Sequence, residues 1–198
     1  MTPAECLVLY EKIYTACKEP QCDAETGVEL YNAVLKSPPG DVIEIGSAFG
    51  GSTVWLVGAA QEVGKGVISI DPYPESDYVY ASVTPIWKKF FKNNFLDYYD
   101  NIIQHNCDMT ECVELLPDTI SVGFIDGCHD NKHADREFVA LTDRLCHDGR
   151  LILDDTHLES LSLVAAKICE PQFDCIKTVG KTRAKFGRFK KELGDSIV

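Results

Sequence analysis

Three aspartates follow two apolar stretches, at points where buried strands would end. Asp126 follows Val122–Ile125, and Asp154 and Asp155 follow Leu151–Leu153. In a parallel sheet the carboxyl ends of neighbouring strands open on one crevice, so these carboxylates are expected to converge. Carboxylates that lie so close repel one another unless a hard divalent cation such as Mg²⁺ binds them. The pattern therefore favours a magnesium site over the simpler interpretation that Asp126 and Asp155 cap helices.

A second segment leads from an apolar strand, Val42–Ile45, through a glycine turn into a helix. Gly46 and Gly50 tolerate positive φ or the close approach of a ligand, and Ser52 is expected to cap a helix whose free N–H groups face that ligand. The spacing E-x-G-x-x-x-G, with Ser47 in an x position, differs from the dinucleotide pattern G-x-G-x-x-G. We therefore expect a nucleotide-type cofactor at this turn, and the spacing disfavours one with a pyrophosphate.

A further acid, Asp71, ends the short apolar run Val67–Ile70. At that position a carboxylate faces the sugar hydroxyls of a cofactor bound across the sheet edge. The alternative is a turn residue before Pro72. The irregular stretch 72–85 that follows, with three tyrosines, is predicted to be a mobile lid.

The elements that must position these residues alternate along the chain. Two helices, at 4–17 and 23–36, come before the first strand. Alternation of this kind indicates an α/β fold with a doubly wound, mostly parallel sheet, and the tail predicts a C-terminal antiparallel hairpin. The predicted strands are 42–45, 67–70, 101–104, 120–125, 150–153, 173–179 and 184–190, and the later helices are 53–63, 84–97, 110–115, 131–146 and 158–169.

Composition limits the function classes. A chain of 198 residues suits one α/β domain, and its net charge of −12 with no extended basic patch argues against nucleic acid as a partner. No stretch is apolar enough to cross a membrane and the start does not resemble a secretory signal, so a cytoplasmic protein is expected. The nine cysteines are scattered without a C-x-x-C pair, which argues against a disulfide framework and a structural zinc site. They are expected to be small buried residues.

The ordered motifs E-I-G-x-x-x-G-x-S, S-I-D, F-I-D-G-x-H and L-D-D resemble those of class I S-adenosylmethionine-dependent methyltransferases. Within them the chain is most similar to the metal-dependent O-methyltransferases of the catechol and caffeoyl-CoA type and the related sugar and antibiotic enzymes. The resemblance implies a single Rossmann-like methyltransferase domain over 1–198, with an N-terminal helical cap at 1–40 and a catalytic core at 41–191.

The resemblance also implies roles for individual residues. S-adenosylmethionine would be held by the first motif, by the ribose-binding acid and by residues that flank the adenine. Asp126, Asp154 and Asp155 match the metal-binding positions. The implied cofactor residues are Glu44, Gly46, Ser47, Gly50, Ser52, Asp71, Cys107 and Asp108.

The base departs from the family pattern. A lysine of the catechol type is replaced by His129, and an aspartate of the sugar-modifying type is replaced by Cys128. His129, beside Asp126, is our candidate catalytic base because the pKa of histidine lies near neutrality. The alternatives are that His129 orients Asp126 or caps a helix. A zinc site made with His133, four residues later, is disfavoured because no third ligand is evident.

These features together predict methyl transfer from S-adenosylmethionine to a hydroxyl oxygen of a small molecule, with help from a divalent metal. The alternatives are a non-catalytic S-adenosylmethionine-binding protein, a nicotinamide-dependent oxidoreductase, and a methyltransferase that needs no metal. The resemblance also leaves open a homodimer joined through the N-terminal helices.

Overall fold

The structure is a computed structural model that describes residues 1–17, 22–73, 89–97, 99–181 and 183–190. Seven strands form one sheet in the order β3-β2-β1-β4-β5-β7-β6. The strands are β1 (Asp41–Ile45), β2 (Val67–Ile70), β3 (Ile102–His105), β4 (Ile120–Ile125), β5 (Leu145–Leu153), β6 (Phe173–Val179) and β7 (Ala184–Phe189). Within the described residues, the α-helices with both ends defined are α1 (Pro3–Cys17), α2 (Ala24–Leu35), α3 (Thr53–Val63), α4 (Asn131–Thr142) and α5 (Ser162–Lys167).

The strand pairing confirms the predicted fold class. Strands β1 to β5 pair in parallel, and β7 pairs antiparallel with both β5 and β6. From β1 the chain adds β2 and β3 on one side of the sheet, and it then adds β4 and the later strands on the other side. The strand order therefore reverses between β1 and β4. Ligands of such sheets bind outside the carboxyl ends of the strands at this point.

Two hydrophobic clusters cover the two faces of the sheet. Successive strand residues point to opposite faces, so Val42 belongs to the cluster with α1, α2 and α3, while Ile43 belongs to the cluster with α4 and α5. All six residues of β4 are buried, as expected for a central strand covered on both faces. Gly27 of α2 allows the ring of Trp55 in α3 to approach closely, because a Cβ there would lie 2.2 Å from the indole nitrogen.

Several predicted boundaries differ from the structure. The helix predicted for 131–146 ends at Thr142, and β5 begins at Leu145 rather than at 150. Between Leu145, which pairs with Ile120, and Arg150, which pairs with Val122, four residues bulge out of the ladder. Asp148 in this bulge has φ +62°, a conformation that short polar side chains tolerate.

Three other predicted helices are altered or fall partly outside the description. The segment 110–115 forms two short 3₁₀ turns, Met109–Glu111 and Val113–Leu115, instead of an α-helix. The segment 158–169 begins with a 3₁₀ turn before α5. Residues 74–88, which include most of the predicted lid and the start of the helix predicted for 84–97, lie outside the described residues. The part of that helix at 92–96 is a π-helical turn.

Among the helices of the described residues, none combines the length and the apolar character needed to span a bilayer.

Candidate active site

The glycine turn closes the gap between the carboxyl ends of β1, β2 and β4. The amide of Gly46 donates to the carbonyl of Ile70 at 2.9 Å, and the amide of Asp126 donates to the carbonyl of Ile45 at 2.9 Å. Gly46 has φ +84°, and a Cβ there would lie 2.2 Å from the carbonyl oxygen of Asp126. This glycine is therefore required by the packing of the chain itself, before any ligand is considered.

Gly50 is constrained in the same way from the other end of the turn. Its φ is +93°, and an added Cβ would lie 2.1 Å from the ring of Phe95 in the π-helical turn. Both glycines have the positive φ that was predicted, and protein atoms fill the space beside each α-carbon. Their contact with a ligand stays a prediction.

Glu44 is a buried carboxyl on β1 that binds the start of α3. It accepts hydrogen bonds from Ser52 Oγ at 2.6 Å and from Thr53 Oγ1 at 2.7 Å. Burial raises the pKa of Glu44 to about 7, against the opposing effect of these hydrogen bonds. The prediction that Ser52 caps α3 was wrong: its side chain makes no capping bond and donates to Glu44 instead.

Asp71 holds the backbone of the glycine turn. Its Oδ2 accepts the amide hydrogens of Ser47 at 2.9 Å and Ala48 at 2.8 Å, and its Oδ1 accepts the amide of Tyr73 at 2.9 Å. A carboxylate offers about four acceptor positions, so about one remains for another donor. Asp71 therefore orders the turn and keeps one acceptor position.

Tyr73 belongs to the stretch 72–85 that was predicted to be a mobile lid, but in the structure hydrogen bonds hold it in place. It is buried beneath the glycine turn with φ +43°. Its hydroxyl donates to the carbonyl of Ala48 at 2.8 Å, accepts from Gln104 Nε2 at 2.9 Å and lies 3.1 Å from Ser47 Oγ. The only sequence signal was its place two residues after the acid, within a loop of several tyrosines.

The segment predicted to flank adenine carries a disulfide bond between Cys107 and Cys112. Asp108 caps the following 3₁₀ turn by accepting from the amide of Thr110 at 2.8 Å. The expectation that the cysteines are small buried residues was wrong for Cys128, Cys169 and Cys175, which are exposed, whereas Cys112 of the disulfide is buried. The prediction against a disulfide framework overlooked a pair only five residues apart.

Three side chains come together at the carboxyl ends of β4 and β5, and they differ from the predicted set of Asp126, Asp154 and Asp155. One ligand atom each of Asp126, His129 and Asp155 lies within 4.8 Å of the others. His129 Nε2 is 2.8 Å from Asp155 Oδ2. Asp154 is not part of the group: it is buried, and its Oδ1 accepts the amide of Asp155 at 2.8 Å.

The pKa values of Asp126 and His129 are both raised, which favours the neutral form of the acid and the charged form of the imidazole. Burial, followed by repulsion from Asp154 and Asp155, raises the pKa of Asp126 well above its ordinary value. The hydrogen bond to Asp155 raises the pKa of His129, against the effect of burial. A bound cation would relieve the repulsion between the carboxylates, so the donor set of two carboxylates and one imidazole fits a divalent metal. The zinc pair with His133 is not formed in this group.

A buried glutamate lies behind the cluster. Glu137 of α4 is 4% exposed, and a Cβ on Gly127 would lie 3.4 Å from its Oε1. Burial, with a smaller contribution from Asp108, raises its pKa to about 7. Glu137 was not predicted as a site residue because a helical glutamate usually faces water.

Comparison with known proteins places the chain among related folds. A family model described as a methyltransferase domain matches residues 43–156. Curated proteins yield no sequence match. A solved structure from Corynebacterium glutamicum is similar with a TM-score of 0.72 and 14% identity, over 95% of this chain and 91% of that one.

Two further structures have functional names. The S-adenosylhomocysteine-bound methyltransferase of Podospora anserina gives a TM-score of 0.67 at 12% identity, over 96% of this chain and 88% of that one. A TDP-rhamnose 3′-O-methyltransferase of calicheamicin biosynthesis gives 0.60 at 14% identity, over 84% and 78%. At such identities the likeness shows the shared fold.

Proposed function

The chain belongs to the family of methyltransferase domains, and we propose that it transfers a methyl group from S-adenosylmethionine to a hydroxyl oxygen of a small molecule with help from a divalent cation. The observation that carries the proposal is the position of the Asp126, His129 and Asp155 group directly beside the glycine turn. Asp126 takes part in both, since its backbone carbonyl packs against Gly46 while its side chain belongs to the group. A cofactor on the turn and an acceptor at the group would therefore be neighbours.

The residues proposed to hold the cofactor are those that order the turn. Asp71 has an acceptor position for a ribose hydroxyl, Ser47 donates its amide to Asp71, and Glu44 accepts from Ser52 at the start of α3. When bound, S-adenosylmethionine supplies an electrophilic methyl group on a sulfonium centre. The protein contributes mainly by holding two reactants in line, which lowers the entropic cost of the reaction. Cys107 and Asp108 remain proposed only as neighbours of the adenine.

The proposed cation ligands are the carboxylates of Asp126 and Asp155, which lie beside His129, and Asp154 supports Asp155 by accepting its amide hydrogen. A cation there would lower the pKa of an acceptor hydroxyl and neutralise the oxyanion that forms. Because Mg²⁺ prefers oxygen ligands and the group includes an imidazole, Mn²⁺ is a second candidate.

We propose His129 as the group that receives the acceptor's proton. Its side chain is 50% exposed, against 17% for Asp155, so an acceptor in the crevice reaches the imidazole first. The hydrogen bond that His129 Nε2 donates to Asp155 Oδ2 orients the ring and leaves Nδ1 to accept the proton.

The test is calorimetric titration of metal-free protein with S-adenosylhomocysteine and, separately, with Mg²⁺ and Mn²⁺. We expect Asp126→Asn to bind S-adenosylhomocysteine as the wild type does, to lose the heat of metal binding and to lose turnover on a panel of diols. Asp135→Asn, an exposed acid on α4 outside the group, is the control and is expected to behave as wild type.

Other outcomes favour the alternatives. Cofactor binding without turnover on any hydroxyl acceptor would favour a non-catalytic binding protein, and turnover that survives chelators would remove the metal from the proposal. Failure to bind S-adenosylhomocysteine under any condition would overturn the proposal itself. A cytoplasmic location, a homodimer and the absence of a nucleic-acid partner remain predictions.

A further inference from the structure

A cavity lies on the face of the sheet that carries α1, α2 and α3, away from the glycine turn. Its volume is about 310 Å³, and it opens between the C-terminal half of α2 and strands β5, β7 and β6. Apolar side chains form part of its wall, and charged side chains surround them. The lining residues that matter here are Lys36, Arg150, Arg188, Asp174, Ile176 and Phe186.

Positive charge is concentrated across the strands beside this cavity. Arg150 of β5 is the direct partner of Arg188 of β7, which in turn pairs with Asp174 of β6, so the three lie in one row on one face. Two like charges directly opposite each other on adjacent strands destabilise a sheet unless a counter-charge is present. The only acid in the row is Asp174.

The acids at the cavity are already engaged by other cations. Asp174 Oδ2 is 2.5 Å from Arg188 Nη2, and its Oδ1 is 2.9 Å from Lys190 Nζ. Glu29 is ion-paired with Lys177. Within the part of the chain that the structure describes, no acidic side chain forms an ion pair with Arg150 or Lys36. Burial, followed by repulsion from Arg188, lowers the pKa of Arg150, against the weaker attraction of Asp148.

We propose that this cavity binds a small organic anion, with the guanidinium of Arg150 and the ammonium of Lys36 holding its carboxylate or phosphate group, and with Phe186 and Ile176 contacting its apolar part. Guanidinium groups bind both kinds of oxyanion through two parallel hydrogen bonds. A cationic cavity is notable in a chain with a net charge of −12, because the rest of the surface repels anions.

This site is separate from the one proposed for methyl transfer. Arg150 lies four residues before Asp154 on β5, which corresponds to about 13 Å along an extended strand. Lys36 follows the C-terminal end of α2, whereas Asp23 at the other end of α2 binds the amide of Lys181 beside the hairpin turn. The cavity therefore opens toward the opposite edge of the sheet, and its ligand and the cofactor can be bound together.

The experiment is calorimetric titration at low ionic strength with phenyl phosphate, benzoate, inorganic phosphate and the neutral benzyl alcohol, each with and without saturating S-adenosylhomocysteine. We expect one of the two aromatic anions to bind, inorganic phosphate to bind more weakly than phenyl phosphate, and benzyl alcohol not to bind. Arg150→Met is expected to lower the affinity for that anion at least tenfold. Lys132→Met, which replaces an exposed lysine on α4, is expected to leave the affinity unchanged. Whichever of phenyl phosphate and benzoate binds with the higher affinity shows whether the cavity prefers a phosphate or a carboxylate group.

Lys36→Met serves as a second variant, because Lys36 lies at a helix end and its replacement leaves the sheet intact. This variant is expected to lower the affinity for the same anion several-fold. Binding that is equal in wild type, Arg150→Met and Lys36→Met, binding that S-adenosylhomocysteine displaces, or no binding of either aromatic anion would each overturn the proposal.

Discussion

Glu44 and Asp71 each have a structural role in addition to the cofactor-binding role that the sequence motif implies. Both stand at strand ends where the family motif places cofactor ligands. In the structure each is first a structural acceptor, Glu44 for the hydroxyl groups at the start of α3 and Asp71 for three backbone amides. A substitution at either position therefore changes the stability of the free protein as well as any affinity for the cofactor, and the two effects can be measured apart.

The buried carboxyl of Glu44 predicts a loss of stability as the pH rises. Its pKa is about 7 in the folded protein against 4.5 ordinarily, so the folded state retains a proton that the unfolded state releases between these values. The free energy of unfolding therefore falls as the pH rises through this window and levels off above it, by up to about 3 kcal/mol. Glu44→Gln keeps the shape and removes the charge, so its curve is expected to be flatter.

Urea unfolding at intervals from pH 5 to pH 8 measures this effect. Glu137, on the other face of the sheet, also has a pKa of about 7 and contributes a similar pH dependence to the free energy of unfolding. Glu137→Gln should remove that contribution independently of Glu44→Gln. Glu11→Gln on the exposed side of α1 is the control. If Glu44→Gln and wild type show the same pH dependence, the carboxyl titrates at its ordinary pKa.

Asp71→Asn is expected to destabilise the protein in the absence of any cofactor. An amide side chain offers one acceptor oxygen where the carboxylate offers two, so at least one of the amides of Ser47, Ala48 and Tyr73 loses its partner. An unsatisfied buried donor costs about 1–3 kcal/mol. Denaturant unfolding of the ligand-free protein tests this, with Asp108→Asn at a partly exposed turn as the milder comparison. Unchanged stability of Asp71→Asn would mean that its bonds to the turn contribute nothing, and would leave ribose binding as its sole role.

At the scale of the element, the glycine turn is fixed by contacts from outside it. Gly46→Ala would place a methyl group against backbone atoms of Asp126, which cannot rotate away, and would also strain a residue at φ +84°. We expect a loss of at least about 3 kcal/mol in the free energy of unfolding. Gly64→Ala is the matched control, because Gly64 has φ +69° but nothing within 4 Å of its added Cβ. Its expected cost is about 1–2 kcal/mol, the conformational strain alone. Equal costs for the two variants in urea unfolding would show that the turn relaxes around the methyl group.

The elements differ in how well the sequence predicts them, for physical reasons. Strands such as β1, β2 and β4 are short apolar runs ended by glycine or acid, so local pattern and tertiary structure agree. The bulge that starts β5 early, at Leu145, depends on pairing with β4, a contact that no local pattern encodes. The acids of the crevice were predicted as neighbours because strand ends converge. That His129 rather than Asp154 joins them depends on side-chain direction after the strand, which the sequence leaves open.

At the scale of the whole molecule, the N-terminal helices share one hydrophobic cluster with the sheet. Ile13 of α1, Trp55 of α3 and Phe124 of β4 are all fully buried in the same cluster. The hydroxyl of Tyr31 in α2 donates to the carbonyl of Met1 at 2.7 Å, which fixes the start of the chain to the second helix. A cap that packs in this way is expected to unfold with the core, because its loss would expose the indole of Trp55 to water.

Ile13→Ala tests that coupling against a matched position on the same helix. Ile13 is fully buried, whereas Val8, five residues earlier, is 69% exposed. Truncating a buried isoleucine to alanine costs about 2–5 kcal/mol, while an exposed apolar residue costs less than about 0.5 kcal/mol. If α1 and the sheet form one cooperative unit, Ile13→Ala lowers the midpoint of a single urea transition followed by Trp fluorescence and by far-ultraviolet circular dichroism alike, and Val8→Ala leaves it in place. A separate early transition in Ile13→Ala, with the main one unmoved, would instead show that residues 1–17 unfold as an independent cap and that the catalytic core holds together without them.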